Sequence, residues 1–191
     1  MPSSTRANAR LLRQVVRLKQ AHRQARDLAG HDKLTGLPNR HLLSDRLDQA
    51  LVRTRRSGKH VALLMLDLNE FKNVNDQLGH SAGDELLRQV AMRLSSCVRA
   101  SDTVCRYGGD EFVILVTDVV AAKLGQFVDR VAEAIKDCLT APYSIDGSIV
   151  NMTLSMGRAL LNHPGYSGAE LICVADAAMY REKRMLKSSG G

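Results

Sequence analysis

Two adjacent acids, Asp110 and Glu111, follow two adjacent glycines, Gly108 and Gly109, between runs of strand-forming residues. Residues 104–107 read as one strand and 112–116 as the next, with Gly108-Gly109 as the hairpin turn between them. Paired glycines permit positive φ and let a bulky ligand approach the backbone. The two acids then stand at the mouth of a sheet. An isolated Gly-Gly-Asp-Glu is more often a plain surface hairpin, but a third acid gives this one a partner. The apolar run 61–66 ends in Asp67, so a buried strand emerges from the core at a carboxylate. Hard cations such as Mg²⁺ take oxygen ligands, usually one or two carboxylates plus phosphate oxygens. Two strands that each end in an acid, here at Asp67 and Asp110, can hold such ions under a chain of phosphates.

The elements that must position these acids follow from periodicity. Residues 5–29 predict a helix in which Leu11, Val15, Leu18, His22, Ala25 and Ala29 form a four-three seam, with arginines on the other faces. Such a helix is marginal alone and should pair with another; a solvated basic linker is the competing reading. His31 and Asp32 sit in a loop, where they should fix how that helix enters the domain. Asn39 is a plausible N-cap for a helix running to about Ser57. Beyond the Asp67 strand, helices are expected over 70–78 and 84–99, then the hairpin, then a helix over 121–138. A second hairpin turns at Asp146-Gly147, a strand covers 152–160, and a last helix covers 168–187. Helices between strands and two hairpins imply an α+β fold: helices around one mixed, mainly antiparallel sheet. The domain should span 31–187, after a linker or dimerisation helix (1–30) and before a disordered tail (188–191).

Composition excludes several classes. The 45% apolar content over 191 residues is ordinary for a globular domain, and no apolar run approaches the ~18 to 20 residues that span a bilayer. No membrane contact is expected from this segment, and a cytoplasmic domain is, although the longer protein could carry a membrane anchor. The four cysteines, Cys97, Cys105, Cys138 and Cys173, lack zinc-site spacing and should be reduced, buried thiols. Residues 1–30 hold seven Lys/Arg and one acid, which accounts for +6 of the net +7. The domain itself is nearly balanced, and the basic segment lacks the interleaved aromatics of a nucleic-acid site. No nucleic acid is expected as a partner.

Five ordered blocks carry a resemblance. They are residues 31–40 (HDKLTGLPNR), 67–76 (DLNEFKNVND) with 79–84 (GHSAGD), 108–112 (GGDEF), 153–157 (TLSMG) and 175–180 (ADAAMY). In this order, and covering roughly residues 30 to 187, they resemble the GGDEF family, the diguanylate cyclases. The resemblance implies a nucleotidyl-cyclase-like, palm-type fold and the reaction 2 GTP → cyclic di-GMP + 2 pyrophosphate. Each domain would hold one GTP with two Mg²⁺ (or Mn²⁺) ions, so catalysis would need a homodimer. A sensory or effector domain would be attached in a longer chain. By the same resemblance Asp67, the Leu68 carbonyl and Asp110 would bind metal, and Asp110 would also prepare the attacking 3′-hydroxyl. Glu111 is a catalytic candidate read three ways: ligand, partner behind the ligands, or brace for the turn. Asn75 and Asp84 would read the guanine edge; their plainer readings are a turn amide and an acid at a helix N-terminus. Lys72, with backbone amides near Phe71, and Lys183 and Lys187, one turn apart on the last helix, would hold phosphates. Arg99 and Asp102 match the family's Arg-x-x-Asp motif for inhibition by product, and Arg130 could add a second arginine. That spacing alone is usually a surface ion pair. Asn69 and Lys187 depart from the usual Asp and Arg, and lysine loses the bidentate guanidinium. The alternative function is a weak or inactive GGDEF domain that binds GTP or cyclic di-GMP as a regulatory module.

Overall fold

Eight consecutive residues, Val61 to Leu68, are buried in β1 (Lys59–Leu68), because the strand is central and helices cover both faces of its sheet. The computed structural model describes residues 30–161 and 165–189, together with Gln14, which is helical. Gln14 apart, the helix expected over 5–29 lies outside the described residues, as do residues 190–191. β1 pairs with β3 (Glu111–Val120) on one side and β6 (Leu154–Leu160) on the other; β2 (Thr103–Gly108) completes the order β2-β3-β1-β6. All three pairings are antiparallel. The parallel component of the expected mixed sheet reduces to one bridge, Asn39 to Arg106, at the β2 edge.

Alternation along β1 splits the core in two. Leu64, Leu66 and Leu68 face α3 (His80–Cys97) and α4 (Leu124–Thr140) through Leu86, Leu94, Val131 and Ile135. Leu63 and Met65 face α1 (Arg40–Ser57) and α5 (Gly168–Ser189) through Leu43, Leu47, Ala175 and Met179. The result is a three-layer α+β sandwich. α2 (Phe71–Leu78) follows the C-terminal end of β1, and β4 (Tyr143–Ile145) and β5 (Ser148–Val150) form a separate two-stranded sheet around Asp146-Gly147. Asn39 caps α1 as expected: its Oδ1 accepts from the His41 and Leu42 N–H groups at 3.0 and 3.2 Å.

Several boundaries move, four of which bear on the site or the expected tail. α3 starts at His80, not Asp84, because a single glycine, Gly79, separates it from α2. The Gly79 N–H closes α2 on the Asn75 carbonyl, while the Gly79 carbonyl accepts from Gly83 in the next helix. α3 also ends at Cys97, where Val98 turns extended. β6 starts at Leu154, since the Thr153 carbonyl accepts from the Asn69 N–H instead of pairing in the sheet. α5 runs to Ser189, so Ser188 and Ser189 are helical rather than part of a tail. The cysteines are all free, yet only Cys105 is fully buried; Cys97 and Cys138 are half-buried and Cys173 is exposed.

Candidate active site

The β2–β3 hairpin is built differently from a Gly-Gly turn. Arg106 pairs with Phe112 but Gly108 pairs with Glu111, so Tyr107 is an extra residue on β2, a bulge. The bulge shifts the turn by one residue onto Gly109 and Asp110. Only Gly109 of the two glycines uses positive φ, at +50°. Asp110 therefore sits on the turn, while Glu111 opens β3 directly opposite Asp67 on β1. The Leu68 N–H donates to the Asp110 carbonyl at 3.3 Å, tying the two strand ends together.

Three carboxylates thus meet at one end of the sheet. Burial, opposed by a backbone hydrogen bond and reinforced by the negative charge of Asp67, raises the Asp110 carboxyl above the usual carboxylate range. Burial also raises Glu111, followed by Asp67, Asp110 and Asp176. Asp176, on α5, is a fourth acid that carried no role in the sequence reading. Lys183, from the same helix, reaches across the sheet: its Nζ donates to Asp67 Oδ1 at 2.6 Å. Lys187, one turn further, is exposed. Among the described residues, no three His, Cys, Asp or Glu side chains are gathered closely enough to hold a metal ion by themselves. Mg²⁺ needs only one or two carboxylates when a phosphate chain supplies the rest, and the all-oxygen donors here, Asp67, Asp110 and the Leu68 carbonyl, fit a hard cation.

The turn is held by a residue that sequence reasoning passed over. Arg106 Nε and Nη2 both donate to the Gly109 carbonyl, at 2.9 and 2.8 Å. Its Nη1 donates to both Asp32 oxygens, at 3.0 and 3.2 Å. Asp32 in turn accepts from the Thr35 N–H and hydroxyl. Burial acts to raise Asp32, but these hydrogen bonds and the guanidinium hold its carboxyl below the usual range. The His31-Asp32 loop therefore braces the hairpin, a role beyond the expected one of admitting the linker. An arginine two residues before Gly108, with an acid in the first block, was the available signal.

Asn75 and Asp84 come from neighbouring helices. Asp84 is exposed in α3, one turn in from its start, so it is not an acid at the helix N-terminus. Asn75 packs against Gly83, where a Cβ would fall inside its Oδ1. Phe71 and Lys72 open α2, Lys72 exposed, after Glu70 in the left-handed region at φ 60°. Asn69 uses both ends of its amide: Nδ2 donates to Thr153 Oγ1 at 3.1 Å, and Oδ1 accepts from the Ser155 hydroxyl at 2.8 Å. It pins the β1–α2 connection to β6, beside Asp67, which pairs with Ser155.

Arg99, Asp102 and Arg130 gather at the opposite end of β2, roughly 20 Å away along the strand. The Arg99 guanidinium lies 3.8 Å from the Phe127 ring centroid and that of Arg130 6.0 Å from the same ring. Both arginines are exposed. Asp102 is buried, and its two oxygens accept from the Arg99 and Thr117 N–H groups. The Arg-x-x-Asp spacing thus makes a turn rather than a side-chain ion pair. Phe127, which joins the two arginines, was legible only as a core position.

The family model for the diguanylate cyclase GGDEF domain matches residues 29–189. The chain is 42% identical over 179 residues to the bifunctional diguanylate cyclase/cyclic di-GMP phosphodiesterase MucR of Pseudomonas aeruginosa, covering 94% of this chain and 26% of that protein. It is 38% identical over 175 residues to the diguanylate cyclase TpbB of the same organism, covering 91% and 40%. The chain therefore spans about a quarter to two fifths of these relatives. Its structure superposes on the coiled coil and GGDEF domain of DgcB from Caulobacter crescentus, solved in complex with c-di-GMP, with a TM-score of 0.76 and 31% identity over 95% of each chain.

Proposed function

We propose, because the chain belongs to the GGDEF domain family of diguanylate cyclases, that it condenses two GTP into cyclic di-GMP and releases two pyrophosphates. The observation that carries this reading is the meeting of Asp67, Asp110 and Glu111 at one sheet end, with Lys183 reaching in from α5. A divalent cation, Mg²⁺ or Mn²⁺ and two per active site, supplies charge neutralisation on the phosphates when bound; Asp67, Asp110 and the Leu68 carbonyl would hold it. Asn75 and Asp84 bind the guanine edge, the amide serving both donors and acceptors. Phe71, through its backbone, and Lys72 bind phosphates. Lys183 exchanges Asp67 for the phosphates as substrate enters, and Lys187 adds charge one turn further out.

Each ribose 3′-hydroxyl attacks the α-phosphate of the GTP on the facing domain. A new oxygen–phosphorus bond forms as pyrophosphate leaves, and the hydroxyl proton passes to Asp110. Burial suits that carboxylate to a base, although a cation beside it works in the opposite direction. Glu111 supports the cluster from the strand behind it. One domain holds one GTP, so the reaction requires two domains face to face. Arg99, Arg130 and Asp102 form a separate site where cyclic di-GMP inhibits its own synthesis, the guanidiniums pairing with phosphate and stacking on guanine.

The test is incubation of the purified chain with GTP and Mg²⁺, followed by chromatographic separation of the nucleotides. Cyclic di-GMP is expected, with a rate that slows as product accumulates and does not slow in Arg99→Ala. Asp110→Asn should lower the rate on the order of 100-fold or more. Nucleotide binding without product, even at high protein concentration, would replace this reading with that of a regulatory GTP- or cyclic di-GMP-binding module.

A further inference from the structure

α3 and α4 pack antiparallel, and two cysteines face one another across their contact. The Cys97 thiol reaches the Ala134 carbonyl at 3.7 Å, and the Cys138 thiol reaches the Arg93 carbonyl at 3.8 Å. Ala134 lies one turn before Cys138, and Arg93 one turn before Cys97. Each sulfur therefore touches the backbone that leads directly into the other cysteine. Cys138 is close enough to act on the Cys97 thiol, helping burial to raise it. Arg93 closes the same seam, donating to the Cys138, Ala141 and Pro142 carbonyls at the end of α4. Both cysteines are half-buried and neither is joined to another residue.

We propose that Cys97 and Cys138 form an intramolecular disulfide under oxidising conditions, linking the end of α3 to α4. The oxidant is a small disulfide such as glutathione disulfide. One cysteine thiolate attacks it, forming a mixed disulfide and releasing one glutathione. The second cysteine then attacks the protein-bound sulfur and releases the other. The balance is two protein thiols and one glutathione disulfide giving one protein disulfide and two glutathione thiols. Burial and the neighbouring Cys138 push the Cys97 thiol up to about 11. The reduced pair thus gains no thiolate stabilisation, which favours the oxidised form at equilibrium and makes both formation and reduction slow. Cys97 is two residues from Arg99, and Arg130 lies two turns before Cys138, so the link clamps the end of α3, just before Arg99, to the helix that carries Arg130.

The remaining cysteines are internal controls. Cys105 is buried and pushed up to about 12, chiefly by burial, and should stay reduced; Cys173 is exposed and should form only a mixed disulfide. The experiment incubates the full chain with glutathione disulfide at pH 8, blocks free thiols and maps tryptic peptides without reduction. The expected result is a linked pair of peptides, 94–99 with 137–158, in monomeric protein, absent from both Cys97→Ser and Cys138→Ser. Thermal melting of oxidised Cys173→Ser should exceed that of its reduced form by roughly 5 to 10 °C. Separate glutathione adducts on Cys97 and Cys138, a link between two chains, or a link with no rise in melting temperature would overturn the proposal. These readouts need no turnover, so they stand apart from the assay of cyclase activity.

Discussion

Gly83 is where a single methyl group would disturb the proposed guanine contact. A Cβ there would displace the Asn75 amide and crowd the Phe71 ring at 3.2 Å. The amide is the far end of a side chain and can rotate away, so the helix should survive while the guanine contact does not. Gly83→Ala is expected to raise KM for GTP about tenfold or more, the equivalent of one lost polar contact, with a melting temperature close to the parent's. A KM unchanged in steady-state kinetics would remove Asn75 from the guanine site. Glu111 gives a second test, this time through pH. Its carboxyl is raised above the ordinary 4.5 by burial and by the charges of Asp67, Asp110 and Asp176. A group with a raised folded pKa contributes stability that is full below the unfolded value and is lost as pH rises through the folded one. Glu111→Gln removes that loss. Relative to the parent, the variant should melt a few degrees higher near pH 7.5 than it does below pH 4.5; an equal difference at both pH values would show that the carboxylates do not repel.

At the scale of elements, β6 and α5 set the position of Lys183. They approach closely at Gly157, where a Cβ would fall on the Ala175 carbonyl oxygen and the Met179 backbone nitrogen. Neither atom can rotate away, unlike the amide at Gly83. Gly157→Ala should therefore push α5 from the sheet and cost about 3 kcal/mol, measurable by urea denaturation, and a loss below about 1 kcal/mol would show that the helix slides without penalty. The Glu182 carboxylate holds the same interface, accepting from the Met156 N–H of β6 and from Lys136 of α4. Arg158 and Asp129 add a second link between β6 and α4. The hairpin is braced in a comparable way at the opposite edge of the sheet, by Asp32 through Arg106. Strands and turns are thus held by acids on helices and loops far along the chain.

At the scale of the molecule, one sheet carries the candidate catalytic and inhibitory sites at opposite ends of β2. Helices cover both faces, so strand ends are where charged groups reach solvent. On the proposed reaction, a single site of this kind completes no condensation alone. The initial rate should therefore rise with the square of protein concentration when dimers are scarce, and linearly once they dominate. A linear dependence from the lowest concentrations, with the protein monomeric by light scattering, would rule out the face-to-face scheme. No helix among the described residues is long and apolar enough to cross a membrane.

Local chemistry determined much of this protein. The apolar run before Asp67 could only be a central strand, Asn39 could cap only the helix that follows it, and Asp146-Gly147 read as a turn from its residue types. The blocks that place Asp67, Asp110, Asn75 and Asp84 were equally legible, because short segments carry them whole. What the tertiary structure decided lies between segments. The bulge at Tyr107 moved Asp110 onto the turn and set Glu111 against Asp67, a register that depends on β1 as well as on the hairpin. Lys183 meets Asp67 across 116 residues, and Arg106 meets Asp32 across 74. The two thiols of α3 and α4 face one another for the same reason. Such pairs depend on how layers stack and which registers they lock. No local propensity encodes them, because packing energy is shared among residues that are neighbours only after folding.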